Sequence, residues 1–295
     1  MPYLFPVGAR LGEHNLVLHA TARRHSVSNY AGPLSIKTVL RGRVSWIVGG
    51  RELVVDPSSF LVLAAGEPYS MNIDEPEPVE TCCAFFAPGF LEQVALDLTT
   101  SVDAALDAPD RIAPPVPYLS ALHGDGELTL SGRLWTLAKR CEEALAPSGT
   151  EEEFLLLGIS LLGCYDQMRT QCARVPAMRK STQHELFRRL LLGRDYMHAH
   201  AFDPISLASV ARAAALSTFH FHRGFTQTFE ETPHSYLTGL RLARAKLMLE
   251  SGSSVLETCV AVGFSSPSAF SRLFRARLGC LPSAIRTKFA RSGEK

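Results

Sequence analysis

The sequence of 295 residues lacks the features of membrane-spanning, secreted and disordered proteins. Its longest uncharged apolar run, over 154–165, is well short of the roughly 20 residues that a membrane-spanning helix needs. The first residues contain no basic segment followed by an apolar stretch, so no secretory signal is predicted. Seven cysteines form an odd number without Cys-x-x-Cys spacing, which favours reduced thiols over disulfides. We therefore expect a globular, cytoplasmic protein with no membrane partner.

Charge is distributed unevenly along the chain. Residues 1–179 contain 14 basic and 21 acidic side chains, whereas residues 180–295 contain 16 basic and 8 acidic ones. A basic half suits a polyanionic partner such as nucleic acid. Small domains also differ in charge by chance, so the charge alone does not establish such a partner and the motifs must decide.

Short β-like runs separated by turns fill the chain over about 35–86. Valine, isoleucine, threonine and aromatic residues favour strands, and Gly49-Gly50 supplies the positive φ angles of a tight hairpin. The pattern predicts a meander of antiparallel strands that forms a small barrel or sandwich. The strands over 36–48 and 63–73 contain no histidine, so we predict no metal site, cofactor or catalytic residue there.

Proline-rich sequence over 109–117 marks a boundary, after which the apolar periodicity becomes helical over 131–146 and 151–168. The second helix is apolar almost all round, so it must be covered either by its own domain or by the same helix of a second subunit. The predicted division is a β domain over 1–108, a helical connector or dimerisation region over 109–175, and a helical domain over 180–291.

Two stretches of the basic half, about 205–233 and 254–282, share one construction. Each has a short helix-forming segment, a turn, a serine able to cap the next helix, and a Phe-x-x-x-Phe pattern that encloses an arginine. The matching pairs, each 49 positions apart, are Phe221 and Phe270, Arg223 and Arg272, Phe225 and Phe274, and Pro233 and Pro282. One constant offset over this span indicates a duplicated unit.

Each copy has the physical features of a helix-turn-helix. Phenylalanines four residues apart lie on one helix face, bury against the preceding helix and leave the arginine between them facing solvent. Gly263 lies where the turn favours a left-handed residue without Cβ, and Ser217 and either Ser265 or Ser266 can cap the second helix. Such an arginine suits the major groove, where it pairs with guanine. The alternative is an all-α domain whose arginines are simply solvated.

Further residues complete a family pattern: Gly263, Phe264, Ser268, Phe270, Ser271, Arg272, Phe274, Gly279, Pro282 and Arg286, with Arg241, Leu242 and Ala245 on the joining helix. On these residues, the region of about 183–288 resembles the DNA-binding domain of the AraC/XylS family of transcription regulators. Three positions depart from the family pattern. Glu230 stands where glycine is frequent, Cys259 where alanine is usual, and Ile285 where an aromatic residue is common.

The resemblance implies two recognition helices that enter adjacent major grooves, one helical turn or about 34 Å apart. It also implies promoter DNA and RNA polymerase as partners, and transcription activation. The predicted DNA-binding residues are Ser217, Thr218, Phe219, His222, Arg223, Ser266, Pro267, Ser268, Ser271, Arg272 and Arg275.

The strand pattern and the sequence Gly66-Glu67-Pro68-Tyr69 resemble, more distantly, the cupin-like sensing domain of the same family. Enzymatic cupins hold a metal with closely spaced histidine and glutamate, but here Tyr69 stands where a histidine is often found, so we expect no metal. The resemblance implies a small-molecule effector in the barrel. Candidate pocket residues are Lys37, Trp46, Tyr69 and Phe86, although the same side chains equally suit a filled barrel interior.

Other residues of chemical interest have ordinary explanations. His220 and His222, like His198 and His200, are two positions apart on a helix and point to different sides, so neither pair is predicted to bind a metal. Cys82 and Cys83 are neighbours on a strand and face opposite sides, and buried thiols are usually inert.

The predicted fold is α+β and multidomain, with an N-terminal cupin-like antiparallel β-barrel, a helical connector, and a C-terminal all-α domain that contains two helix-turn-helix units. The predicted function is that of a sequence-specific DNA-binding transcription regulator, an activator, which forms a homodimer through the helices over 130–168. Two alternatives are a β-barrel enzyme with a helical appendage and a DNA-binding architectural protein without a sensor.

Overall fold

The computed structural model of the protein describes residues 3–5, 10–100, 116, 120–124, 130–143, 149–177 and 179–285. The chain divides into two compact units, Met1–Ala173 and Arg174–Lys295. Most of the predicted boundary over 109–117 lies outside the described residues, as does Arg286.

The N-terminal unit is built on one antiparallel sheet. Its strands are β1 (Tyr3–Phe5), β2 (Leu16–Ala31), β3 (Ser35–Arg41), β4 (Val44–Val48), β5 (Arg51–Val55), β6 (Ser59–Leu63), β7 (Pro68–Phe85) and β8 (Ala121–Gly124). The strand order is β1-β2-β7-β3-β6-β8, and the β4–β5 hairpin joins this sheet where β4 pairs with β7.

The long strand β7 closes the sheet on itself. Its first part pairs with β4, its last part pairs with β3, and β2 runs along most of its length. The result is a nearly closed antiparallel barrel, which confirms the predicted cupin-like architecture. Gly49 and Gly50 adopt φ angles of +55° and +75° in the β4–β5 turn, as expected for a tight hairpin.

Among the described residues, three helices accompany the barrel: α1 (Phe90–Thr99), α2 (Leu130–Glu143) and α3 (Thr150–Ala173). Because side chains alternate along a strand, Val39 of β3 faces one apolar core together with Trp46 and Tyr69, whereas Ile36 faces a second core. Helices α2 and α3 bury their apolar residues in this second core. Of the two alternatives for the apolar helix over 151–168, cover by its own domain is therefore the one observed.

The C-terminal unit consists of helices. They are α4 (Lys180–Ala199), α5 (Leu207–Ala213), α6 (Thr218–Phe229), α7 (Pro233–Glu250), α8 (Val255–Ala261) and α9 (Pro267–Leu278). The pairs α5–α6 and α8–α9 are the two predicted helix-turn-helix units, and α7 joins them. We call α6 and α9 the recognition helices. The predicted all-α C-terminal domain is confirmed.

Strand β2 is the largest element that the sequence did not indicate. It has 16 residues, and the part from Arg23 onward is mostly exposed and includes Arg24 and His25. Such charged residues weaken the strand signal, and the strand forms because β7 supplies a long partner. Within the described residues, no helix has both the length and the apolar character needed to cross a membrane.

Candidate nucleic-acid interface

Each recognition helix begins at a serine cap. The Oγ atom of Ser217 accepts a hydrogen bond from the backbone N–H of His220 at 3.2 Å. The Oγ atom of Ser266 accepts one from the N–H of Ala269 at 3.3 Å, so Ser266 rather than Ser265 is the cap of the second unit. These bonds satisfy N–H groups that the helix cannot pair itself and fix where each recognition helix starts.

The first helix of each unit ends in the same hydrogen-bonding pattern. The N–H of Leu216 donates to the carbonyl of Ala211 at 2.9 Å, and the N–H of Phe264 donates to the carbonyl of Cys259 at 3.0 Å. This six-to-one bond is that of a Schellman motif, which reverses the chain after a helix. The two turns are therefore copies of one backbone design.

The turns nevertheless differ in residue type and in length. The left-handed residue is Ala215 in the first unit, with φ +51°, and Gly263 in the second, with φ +77°. These two residues are 48 positions apart, whereas the caps Ser217 and Ser266 are 49 apart. The offset is therefore constant for the recognition helices but not for the helices before them, because the second turn holds one extra residue.

Helix α6 packs against α4 through the fully buried ring of Phe221, and the equally buried ring of Phe225 contacts the Tyr236 ring of α7, with 5.5 Å between centres. A Cβ atom added to Gly193 would lie 2.3 Å from the Phe221 ring, so only glycine leaves room for that ring on α4. Gly224 brings the two helices together in a similar way, since its added Cβ would lie 3.3 Å from Leu190. The first recognition helix thus depends on a glycine of α4 that no local sequence pattern identifies.

Helix α9 is held by the equivalent rings, Phe270 and Phe274, which are also fully buried. Their core includes Leu242 and Ala245 of α7 and Cys259 of α8. Cysteine in place of alanine fits this helix crossing, and burial raises the pKa of its thiol. Ile285, which stands where an aromatic residue is common in the family, packs against the same core.

Glu230 ends α6 in a conformation that favours glycine. Its φ is +61°, close to the +72° of its counterpart Gly279 at the end of α9. The carboxylate of Glu230 forms an ion pair with Arg174 at 2.9 Å. The left-handed backbone conformation at this position therefore explains why glycine is frequent there in the family.

Arg241 of α7 links the end of α4 to the turn of the second unit. Its guanidinium donates to the carbonyl oxygens of Ala201 at 2.7 Å, Asp203 at 2.9 Å and Gly263 at 3.3 Å. Partial burial lowers the pKa of this side chain. The arginine of the family pattern on the joining helix is therefore structural, because all three bonds go to backbone atoms of its own domain.

The predicted DNA-binding residues lie on the solvent side of the recognition helices. Ser271 is half-buried and the other ten are exposed. Within the described part of the chain, no hydrogen bond or ion pair engages the guanidinium groups of Arg223 and Arg272. Both arginines are therefore available to an external partner, and both project from the face opposite to the buried rings.

The histidines of this domain occupy separate environments. His220 bonds to Ser217 through Nδ1 at 2.8 Å, and His222 is exposed on the outward face. His198 forms a hydrogen bond with Tyr236 at 2.7 Å, and His200 pairs with Asp203 at 2.9 Å. In the described ranges, no cluster of three or more histidine, cysteine, aspartate or glutamate side chains is placed to hold a metal ion.

The four candidate pocket residues of the barrel do not lie together. Trp46 and Tyr69 share the inner core, and the Lys37 ammonium lies 5.3 Å from the centre of the Tyr69 ring. Phe86 belongs to the second core, between the sheet and the helices, where its ring is 5.8 Å from that of Phe90. The structure thus brings together three of the four.

Cys82 and Cys83 face opposite sides of β7, as their adjacency predicts. The thiol of Cys82 donates to the carbonyl of Leu134 in the second core, whereas Cys83 is paired in register with Lys37. Burial raises the pKa of both thiols, which disfavours the reactive thiolate.

A barrel unit followed by a unit that presents two recognition helices defines a two-domain helix-turn-helix protein. A family model described as an AraC-binding-like domain matches residues 8–163, and one described as a helix-turn-helix domain matches residues 210–288. The first of these covers more than half of the chain. The chain belongs to the AraC/XylS family of transcription regulators.

Individual relatives are similar over part of their length. The HTH-type transcriptional regulator CdhR of Pseudomonas aeruginosa is 35% identical over 91 residues, which cover 30% of this chain and 27% of CdhR. The HTH-type transcriptional activator RhaS of Escherichia coli O1:K1 is 31% identical over 147 residues, 49% of each chain. A solved DNA-binding domain of AdpA, in complex with a target DNA, is 28% identical with a TM-score of 0.34 and covers 36% of this chain and 98% of that one. The chain thus spans about half or less of the curated relatives it matches.

Proposed function

We propose that the protein is a sequence-specific transcription activator that binds promoter DNA through the outward faces of α6 and α9. The observation that carries this proposal is the pair Arg223 and Arg272, each held outward by buried phenylalanines on a helix with a fixed N-terminal cap. An exposed arginine on the outward face of such a helix can pair with guanine in the major groove, while backbone N–H groups at the helix start face phosphate.

Activation and contact with RNA polymerase follow from the family rather than from the geometry. RhaS, one relative, is named a transcriptional activator. We expect a reporter gene behind a bound promoter to be transcribed more when the protein is present. A lower level of transcription would contradict activation while leaving DNA binding intact.

DNA binding itself is tested with duplexes that the full chain selects from a random pool. We expect enriched sequences, and we expect their affinity to fall steeply between about 50 and 200 mM salt because phosphate contacts release counterions. A pool without enrichment, or binding that is indifferent to salt, would contradict the proposal. We therefore expect the protein to act in the cytoplasm, where promoters are located, and to catalyse no reaction.

We further propose that the barrel receives an anionic effector at Lys37. This side chain is only 3% exposed, and its ammonium lies 3.7 Å from the centre of the Phe85 ring. Within the described residues no carboxylate or hydrogen-bond acceptor pairs with it. Burial lowers the pKa of Lys37 from 10.5 to about 8. An unpaired buried charge is costly, and a ligand carboxylate would supply the missing counter-charge.

The effector proposal predicts a defined response to the substitution Lys37→Met. Aromatic and aliphatic monocarboxylates should raise the melting temperature of the wild-type chain, the matching amides should not, and Lys37→Met should abolish the difference. The tryptophans, Trp46 and Trp135, report on this unit alone. Equal responses to acids and amides, or an unchanged response in the variant, would contradict an anionic effector.

The pH dependence of unfolding tests the environment of Lys37 without a ligand. Unfolding returns the side chain to water, so between pH 8 and about 10.5 the unfolded chain binds more protons than the folded one. The free energy of unfolding of the wild type should therefore rise through this window relative to that of Lys37→Met. Parallel pH profiles for the two proteins would show that burial does not lower the pKa of Lys37.

Homodimerisation is proposed through α3. Although this helix is covered on one side by its own domain, Leu155 and Ile159 remain exposed one turn apart. Apolar residues at that spacing suit the same helix of a second subunit. Substituting both by lysine should shift the protein from dimer to monomer in analytical ultracentrifugation, and an unchanged mass would contradict this interface.

A further inference from the structure

Phe219 is an exposed aromatic residue on a helix whose other phenylalanines are needed for packing. Its side chain is 68% exposed, whereas Phe221 and Phe225 on the same helix are fully buried. The ring makes an edge contact with the neighbouring His220 at 5.7 Å between centres. The core therefore gives no reason for a phenylalanine at this position, and its ring is open to contact with a partner of α6.

The position of Phe219 on the helix identifies what it faces. At 100° per residue, the buried residues Phe221, Gly224, Phe225 and Thr228 centre on one side of α6, and Phe219 lies almost opposite to that centre. Arg223 follows one turn later on the same outward face. A groove that receives the Arg223 guanidinium therefore also receives the Phe219 ring, nearer to the helix start.

The major groove contains one apolar group that such a ring can recognise. Base edges present nitrogen and oxygen donors and acceptors, apart from the C5 methyl group of thymine. We propose that Phe219 is a specificity-determining residue that selects thymine by contact with this methyl group. The inference rests on the proposed function, since it requires α6 to enter the major groove.

The second unit supplies an internal contrast. The counterpart of Phe219, 49 positions later, is Ser268, which is also exposed at the second position of its recognition helix. A serine hydroxyl can bond to several bases and has no preference for a methyl group. The requirement for a thymine methyl is therefore confined to the half of the DNA site that α6 binds.

The test uses the duplex of highest affinity selected by the full chain, with each thymine replaced in turn by deoxyuridine. This change removes the methyl group and leaves the hydrogen bonds of the base unchanged. We expect one position, in one half of the site, at which the wild type loses affinity by about three- to tenfold, the range expected for one buried methyl group. Phe219→Ser should bind more weakly and should respond equally to thymine and deoxyuridine at that position.

Matched controls separate this inference from the proposed function. Arg188→Ala, a change on α4 where Arg188 pairs with Glu185, should keep the wild-type deoxyuridine profile, and the helical circular dichroism of Phe219→Ser should match the wild type because the residue is exposed. If the protein selects a specific site but no position in it is sensitive to deoxyuridine, the role of Phe219 is overturned while the proposed function stands. The same holds if Phe219→Ser keeps the wild-type sensitivity. A Phe219→Ser variant that loses activation but binds DNA normally would also overturn this role, since the ring would then contact a protein. Failure to select any site would instead overturn the proposed function.

Discussion

The two helix-turn-helix units share a backbone design but present different chemistry. Both have a serine cap, a Schellman turn and two buried phenylalanines. The outward face of the first recognition helix carries Phe219, His222, Arg223 and Thr226, and that of the second carries Ser268, Ser271, Arg272 and Arg275. Duplication has therefore conserved the parts that hold the helix and varied the parts that face solvent.

The units also differ in what supports them. Phe221 packs on α4 over Gly193, whereas Phe270 and Phe274 pack on α7, the helix between the units. Each unit therefore has a buried anchor that holds its recognition helix and an outward surface with its own side chains. Substitutions at the anchors, at the outward arginines and at the turns distinguish the shared anchors from the divergent surfaces.

The largest effect is expected when the anchors are truncated. Phe221→Ala and Phe270→Ala each remove a fully buried ring and leave a cavity, so each should lower the free energy of unfolding by about 3–5 kcal/mol. Urea unfolding followed by helical circular dichroism measures the loss. Phe219→Ala is the matched control, because this exposed ring should change the stability by less than about 0.5 kcal/mol. A control as destabilised as the anchors would refute the packing described for α6.

The next effect concerns the outward arginines. Arg223→Ala and Arg272→Ala should each weaken binding to a selected duplex by about 1–3 kcal/mol, if each pairs with a guanine, and should leave stability unchanged. Fluorescence anisotropy at fixed salt gives the affinities. Arg188→Ala is the control, since Arg188 is paired with Glu185 on α4. Affinities unchanged by the first two substitutions would remove both arginines from the interface.

The smallest effect distinguishes the two turns and should have opposite signs. In Gly263→Ala the new Cβ would lie 3.1 Å from the Phe202 carbonyl oxygen at a φ of +77°, so a loss of about 1–3 kcal/mol is expected. In Ala215→Gly the left-handed residue loses its strain, and a gain of up to about 1 kcal/mol remains after the greater entropy of the unfolded glycine. The measurement is the midpoint of urea unfolding. If both substitutions shift the midpoint in the same direction, the left-handed residues of the two turns are not equivalent.

The sequence predicted the double helix-turn-helix well because its signals are local. Phenylalanines at i and i+4, a serine before each recognition helix and Gly263 at a turn all report backbone geometry within a few residues. The offset of 49 positions holds for the recognition helices, whereas the helices before them are 48 positions apart because the second turn holds one extra residue.

Features that depend on distant partners could not be predicted. Gly193 is needed because Phe221 lies above it, and nothing near Gly193 in the sequence reveals that contact. Strand β2 forms against β7, and Phe86 faces the helices rather than the barrel interior because of its register. Ala215 and Glu230 occupy left-handed positions where a glycine signal is absent. In each case a tertiary contact overrides a weak local preference.

The most direct test of duplex reading by both recognition helices is a comparison of the binding sites selected by the wild type, Arg223→Ala and Arg272→Ala. The wild type should enrich two short conserved segments centred about 10–10.5 base pairs apart, and each variant should lose base preference in a different one of them. Enrichment of a single segment, or loss of preference in the same segment for both variants, would contradict the reading of DNA by two helices.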